Sequence, residues 1–123
     1  MDATQQLVVV VEDDIGMRDA LHRWLRACGY RTRAYDSGEA LLGEDGARGA
    51  DCLLLDVRLP GVSGTELYAH LDPPRPPAVF ITAHDAPTVR AAVGQVGGSA
   101  VLPKPFVGRA LAEAIAAAIR GDD

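Results

Sequence analysis

Residues 7–28 read Leu7-Val8-Val9-Val10-Val11-Glu12-Asp13-Asp14-Ile15-Gly16-Met17-Arg18-Asp19-Ala20-Leu21-His22-Arg23-Trp24-Leu25-Arg26-Ala27-Cys28. Two patterns meet in this stretch. The first five residues are an unbroken apolar run, mostly β-branched. A run of that kind, closed by turn residues, marks a strand buried on both faces, as in a parallel sheet. After the acids, Met17, Leu21, Trp24, Leu25 and Cys28 recur at i, i+4, i+7, i+8 and i+11. That is the apolar stripe of an amphipathic helix, with Arg18, Asp19, His22, Arg23 and Arg26 on the other face. Gly29 supplies the stop.

The strand–helix unit recurs along the chain. Further apolar runs lie at Cys52–Leu55, Ala78–Ile81 and, more weakly, Ser99–Leu102. Arg31–Tyr35 is poorer in apolar residues, which predicts an edge strand. Helical spacing fits Gly38–Leu42, Gly64–Leu71, Pro87–Val96 and an alanine-rich stretch whose stripe is Val107, Leu111, Ala114, Ile115, Ala118 and Ile119. Asp85 is the expected cap of the helix that has Pro87 in its first turn. Five alternations predict an α/β fold, a doubly wound five-stranded parallel sheet with helices on both faces and right-handed crossovers. In such sheets the ligand site lies beyond the carboxyl ends of the strands.

The chain has 123 residues, one domain's worth, with 48% hydrophobic and 24% charged residues. We take residues 1–123 as a single domain with its core at about 7–119. A formal net charge of −5 excludes a basic nucleic-acid footprint over the chain as a whole. Met1-Asp2-Ala3-Thr4-Gln5-Gln6 has neither the charged nor the apolar region of a signal peptide, and no apolar run is long enough to span a membrane. A cytoplasmic location, with no membrane partner, is expected. Cys28 and Cys52 are expected as small core residues, Trp24 as core, and His22 and His70 as solvated. Asp72-Pro73-Pro74-Arg75-Pro76-Pro77 reads as a stiff connection between a helix and a strand. No GxxxxGK[ST] occurs, and Gly94-Gln95-Val96-Gly97 alone does not indicate a nucleic-acid site.

The residues just after the apolar runs carry the chemistry. Glu12, Asp13 and Asp14 follow the first, Asp56 the second, Thr82 and Ala83 the third, and Pro103, Lys104 and Pro105 the last. Converging carboxylates without histidine or cysteine ligands suit a hard cation such as Mg²⁺, with Mn²⁺ as the alternative. A lysine at the same place is a compact positive charge for a carboxylate or phosphoryl group. A threonine hydroxyl can donate to a phosphoryl oxygen, and a carboxylate can act as nucleophile to form an acyl phosphate. Metal, lysine and hydroxyl together meet the needs of phosphoryl transfer, where catalysis is mostly positioning and charge stabilisation. Asp14, Asp36 and Asp85 are expected as solvated turn residues or helix caps.

Four segments, in order, resemble the receiver domain of two-component response regulators: Val8-Val9-Val10-Val11-Glu12-Asp13-Asp14, Leu53-Leu54-Leu55-Asp56-Val57-Arg58-Leu59-Pro60-Gly61-Val62-Ser63-Gly64, Val79-Phe80-Ile81-Thr82-Ala83-His84 and Leu102-Pro103-Lys104-Pro105-Phe106. The resemblance implies a (βα)5 flavodoxin-like fold with strand order 2-1-3-4-5. It implies Asp56 as phosphoacceptor, served by a sensor histidine kinase, a histidine phosphotransfer protein or a small phosphodonor. It implies Asp13, Asp56 and the backbone carbonyl of Arg58 as Mg²⁺ ligands, with Glu12 acting through a water or as a weaker ligand. Thr82 and the Ala83 amide would contact the phosphoryl oxygens, and Lys104 would pair with Asp56 or its phosphoryl group. A cis bond before Pro105 is often found in the family. The function implied is a switch that catalyses transfer to its own aspartate and the hydrolysis that follows. Its α4–β5–α5 surface would then control an output domain or partner, with dimerisation on phosphorylation as one form and no direct nucleic-acid binding by this chain.

Val101 departs from the family pattern, which usually has phenylalanine or tyrosine three residues before the lysine. Valine has no ring to swing inward when the threonine moves, so backbone motion at Gly97-Gly98 is the alternative route. Arg58 and His84 occupy positions that in the family tune phosphoryl lifetime. Arg18, His22, Arg23 and Arg26 form a basic face for a kinase contact. Two rival readings are a haloacid-dehalogenase-like phosphatase and a binding module that is never phosphorylated. The first expects Asp-x-Asp at the nucleophile, which Asp56-Val57-Arg58 lacks.

Overall fold

A computed structural model describes residues 5–121; residues 1–4, with most of the N-terminal stretch read above, and residues 122–123 lie outside the described residues. The elements run β1 (Leu7–Val11), α1 (Ile15–Ala27), β2 (Arg31–Tyr35), α2 (Gly38–Gly43), β3 (Cys52–Asp56), α3 (Gly64–His70), β4 (Ala78–Thr82), α4 (Pro87–Gln95), β5 (Ala100–Pro103) and α5 (Gly108–Arg120). All pairings are parallel and the strand order is β2-β1-β3-β4-β5. The doubly wound (βα)5 flavodoxin-like architecture and the order 2-1-3-4-5 are as expected.

Alternation along the strands divides the core. Leu7, Val9 and Val11 of β1, Leu53 and Leu55 of β3, and Phe80 of β4 face α2, α3 and α4, where Leu41, Leu67, Tyr68 and Val93 meet them. Val8, Val10, Leu54, Val79 and Ile81 face α1 and α5, against Leu21, Leu25, Leu111 and Ile115. Strands covered on both sides need apolar residues at every position, so these runs do not alternate with polar ones. β2 is the edge, as its composition predicts. Arg33 reaches across to the Gly46 carbonyl at 3.1 Å and Arg31 to that of Gln5 at 3.1 Å. Charged side chains on an edge discourage pairing with another chain.

Local chemistry sets the helix ends. Asp14 caps α1 by accepting from the Met17 amide at 2.8 Å, so the helix starts two residues before its apolar stripe. Ser63 and Glu66 form a reciprocal capping box on α3. The proline-rich connection is pinned to the core. The Tyr68 hydroxyl donates to the Pro76 carbonyl at 2.7 Å, and the Arg75 guanidinium lies 4.6 Å from the centre of the Tyr68 ring.

Three expectations need correction. Asp85 does not cap α4: Ala86 holds that position without a side-chain bond, and Asp85 instead pairs in a fork with Arg90, at 2.7 and 3.0 Å. Cys28 is exposed rather than core, because α1 ends at Ala27 and Cys28 is its C-cap, beyond the last residue of the helix; Cys52 is buried. His22 is half-buried and bonded to the Thr32 hydroxyl rather than solvated, since α1 packs beside β2.

Candidate functional site

The parallel arrangement brings the carboxyl ends of β1, β3, β4 and β5 to one edge of the sheet, and with them Glu12, Asp56, Thr82 and Lys104. Glu12 and Asp56 are almost fully buried, at 1% and 5% exposure. Lys104 lies between them. Its ammonium donates to Glu12 Oε1 at 3.0 Å and to Asp56 Oδ2 at 2.9 Å. The other oxygen of each carboxylate is held by main chain: the Asp14 amide donates to Glu12 Oε2 at 3.1 Å and the Arg58 amide to Asp56 Oδ1 at 3.0 Å. Asp13 is exposed. One oxygen from each of Glu12, Asp13 and Asp56 lies within 4.8 Å of the others.

The electrostatics follow from burial and crowding. Burial pushes the Glu12 carboxyl up to about 7; the bonds from Lys104 and the Asp14 amide work the other way, and the nearby Asp56 charge adds to the rise. Burial works against the Lys104 charge, but the two carboxylates outweigh it and hold its pKa above the ordinary lysine range. Three carboxylates around one lysine carry more negative charge than that lysine balances. The donors are all hard oxygens, which fits Mg²⁺ or Mn²⁺ and not a soft metal. By contrast, burial pushes the Cys52 thiol up to about 12, so it is no nucleophile at neutral pH.

Thr82 is fully buried at the end of β4. Its hydroxyl accepts from the His84 amide at 3.0 Å and donates to the His84 carbonyl at 3.2 Å. It thus faces its own turn. The Lys104 amide donates to the Thr82 carbonyl at 2.7 Å, locking the lysine to β4. The Lys104–Pro105 bond is cis. Ala83, His84 and Arg58 are exposed at the mouth.

Three contributors carry no sequence signal that assigns them a role. Gly64 packs so closely under the β3 end that a Cβ on it would stand 2.2 Å from the Asp56 carbonyl oxygen. Glu39, from α2, accepts from the Val62 amide at 3.0 Å and so ties down the loop after Asp56. Arg18, expected on a solvated basic face, turns back and donates to the Glu12 carbonyl at 2.9 Å. Helical spacing gives the face of a residue but not where a long side chain ends.

The sequence profile of the response regulator receiver domain matches residues 8–116. The chain belongs to this family. Nodulation protein W of Bradyrhizobium diazoefficiens is 40% identical over 129 residues, an alignment covering 98% of this chain and 54% of that protein. Sensory transduction protein RegX3 of Mycobacterium tuberculosis is 34% identical over 119 residues, covering 94% of the chain and 52% of that protein. The receiver spans about half the length of these curated relatives. Among solved structures, the response regulator StyR is 39% identical with a TM-score of 0.83, covering 96% of the receiver and 61% of that chain. A response regulator receiver protein from Burkholderia phymatum is 35% identical with a TM-score of 0.83, covering 97% and 98%. Receivers of two-component systems act in phosphorylation-dependent signalling and bind Mg²⁺ at an acidic pocket. No helix among the described residues is long and apolar enough to cross a membrane.

Proposed function

We propose that the chain works as a single cytoplasmic receiver unit that accepts a phosphoryl group on Asp56 and catalyses both that transfer and its reversal by water. The observation that carries this reading is Lys104 bridging Glu12 and Asp56, with Thr82 at the neighbouring strand end. Asp13, Asp56 and the Arg58 carbonyl would hold a Mg²⁺ or Mn²⁺ ion. Glu12 would act through a water or as a weaker ligand; it is the more deeply buried of the two inner carboxylates, at 1% exposure, whereas Asp13 is exposed. The bound ion would supply neutralisation of charge on the phosphoryl oxygens.

The protein's own residues do the rest. An Asp56 oxygen attacks phosphorus, a P–O bond to aspartate forms, and the bond to the donor's imidazole nitrogen or acyl oxygen breaks. Lys104 stays close enough to follow the new charge on the phosphoryl oxygens. The Thr82 hydroxyl leaves His84 to donate to a phosphoryl oxygen, and the Ala83 amide contacts a second. Arg58 and His84, exposed at the mouth, govern how water reaches the acyl phosphate.

The surroundings support a docking partner and an output face. Beside the site, Met17, Ala20, Leu21, Trp24, Pro105 and Phe106 line an apolar hollow of about 310 Å³. Ile15 and Val107 are 66% and 69% exposed. With exposed Arg23 and Arg26 on α1, this face suits a sensor histidine kinase or histidine phosphotransfer protein, with salt-sensitive association. On the other side α4 buries only Val93 and has no side-chain cap. It is the helix least held by the core, fit to shift when Thr82 moves and to change the α4–β5–α5 surface that meets an output domain or a second copy. Val101 packs on the α2–α4 face, in register with Phe80. Buried Phe80 cannot swing as the usual aromatic would, so the signal runs through the 82–86 turn.

Intact-mass analysis after incubation with Mg²⁺ and acetyl phosphate tests this, on the parent and Asp56→Asn. One added phosphoryl group on the parent alone is expected. No gain under conditions where a control receiver reacts would favour a binding module that is never phosphorylated.

A further inference from the structure

Of the three acids after β1, Asp13 alone has an exposed carboxylate with no hydrogen-bond partner among the described contacts. Glu12 is held by Lys104 and the Asp14 amide, and Asp14 is spent on the cap of α1. The direction of Asp13 therefore depends on the main chain on either side of it. The Asp14 amide is tied to Glu12 and the Glu12 amide to the Tyr35 carbonyl at 3.1 Å, but the carbonyls on either side of the Asp13 nitrogen and carboxylate are held by one side chain. Arg18, half-buried one turn into α1, donates through Nη1 to the Glu12 carbonyl at 2.9 Å, and the same nitrogen lies 3.5 Å from the Asp13 carbonyl. We propose that Arg18 is a positioning residue: by holding these two carbonyls it aims the Asp13 carboxylate at the place where Glu12 and Asp56 converge.

The inference rests on the cation reading above and makes a prediction opposite in sign to simple electrostatics. Arg18 is a positive charge next to a cation site. If charge were all it contributed, neutralising it would relieve repulsion and tighten cation binding. If it positions the turn, losing it loosens Asp13 and weakens binding in spite of the relieved repulsion. Residues that orient metal ligands from behind typically contribute about 10- to 100-fold in affinity.

The test is Mg²⁺ titration by calorimetry, together with amide hydrogen exchange at Asp14 without cation, on the parent, Arg18→Met and Arg18→Lys. Arg18→Met should raise the Mg²⁺ Kd about tenfold and speed exchange at the Asp14 amide, which donates to Glu12 Oε2. Arg18→Lys keeps the charge, and its single ammonium can hold one carbonyl, so it should fall between the two. Met binding Mg²⁺ as tightly as the parent, or more tightly, overturns the proposal. So does a Lys variant that matches the parent in affinity while its exchange is as fast as that of Met, since affinity would then not depend on how firmly the turn is held. If Arg18→Met does not fold, the Lys variant decides alone: parent-like affinity and exchange refute the need for the two-carbonyl grip. A parent that does not bind Mg²⁺ overturns the cation reading itself, a result distinct from any difference among the variants.

Discussion

Lys104→Met removes the charge between two buried carboxylates and keeps most of the side chain's bulk. Carboxylate oxygens of Glu12 and Asp56 lie within 4.8 Å. At an effective dielectric near 20, two unit charges at about that separation repel by about 3 kcal/mol. Breaking a buried charge pair by removing one partner costs about 3–5 kcal/mol in general, so we expect the variant to lose about 3 kcal/mol at pH 8 without divalent cation. The loss should shrink with acid. Glu12 already titrates near pH 7 with Lys104 present, and without the lysine its folded pKa rises further. The folded variant then holds a proton that the unfolded chain, titrating near 4.5, has released. The parent takes up the same proton below about 7, so the variant gains stability relative to the parent only as pH falls from its own raised pKa to about 7, and the difference is constant below that. From pH 8 to pH 5 the loss should therefore shrink by about 1 kcal/mol, the value of roughly one pH unit of titration. Urea unfolding, followed by circular dichroism and by the fluorescence of Trp24, reads the difference at both pH values. Mg²⁺ should stabilise the variant more than the parent, because it replaces the missing positive charge. Equal losses at pH 5 and pH 8, or no loss at pH 8, would refute the reasoning.

Two glycines separate backbone clash from backbone strain. Gly64→Ala sets a Cβ 2.2 Å from the Asp56 carbonyl oxygen; the main chain there cannot step aside, so the β3 end must shift. We expect a loss of about 1–3 kcal/mol and slower phosphoryl uptake. Gly61→Ala meets only the carboxylate end of Glu39, which can swing away at the expense of its bond to the Val62 amide, and Gly61 has φ +72°. Its cost should be about 1–2 kcal/mol from that conformation, with uptake little changed; a Gly61 variant slower than the Gly64 variant would contradict the geometry. Mg²⁺ affinity, measured by calorimetry, should rise with pH up to about 7 and level off above it, since Glu12 must give up its proton to help balance the ion. A flat profile from pH 6 to 8 would show that Glu12 is already ionised.

The strands, the faces of the helices and the location of the site were legible in the chain because each is written locally. Val8 and Val9 need only period-two geometry to be sent to opposite layers, and the acids after Val11 and Leu55 need only the rule that ligands gather at strand ends. The contacts that make those residues a site are not local. Lys104 is 92 residues from Glu12 and 48 from Asp56, and only the strand order sets their separation. Arg18 belonged to the polar face of α1 by spacing, yet its length lets it fold back over the β1 end. Asp85 stood where a cap belongs, but Arg90 offered it a fork. Cys28 continued an apolar stripe past the point where α1 ends. The sequence by itself determined the layers and the inventory of charges at one edge. The tertiary structure alone decided which charge meets which, because through-space distances depend on sheet order and on where flexible side chains end, and periodicity encodes neither.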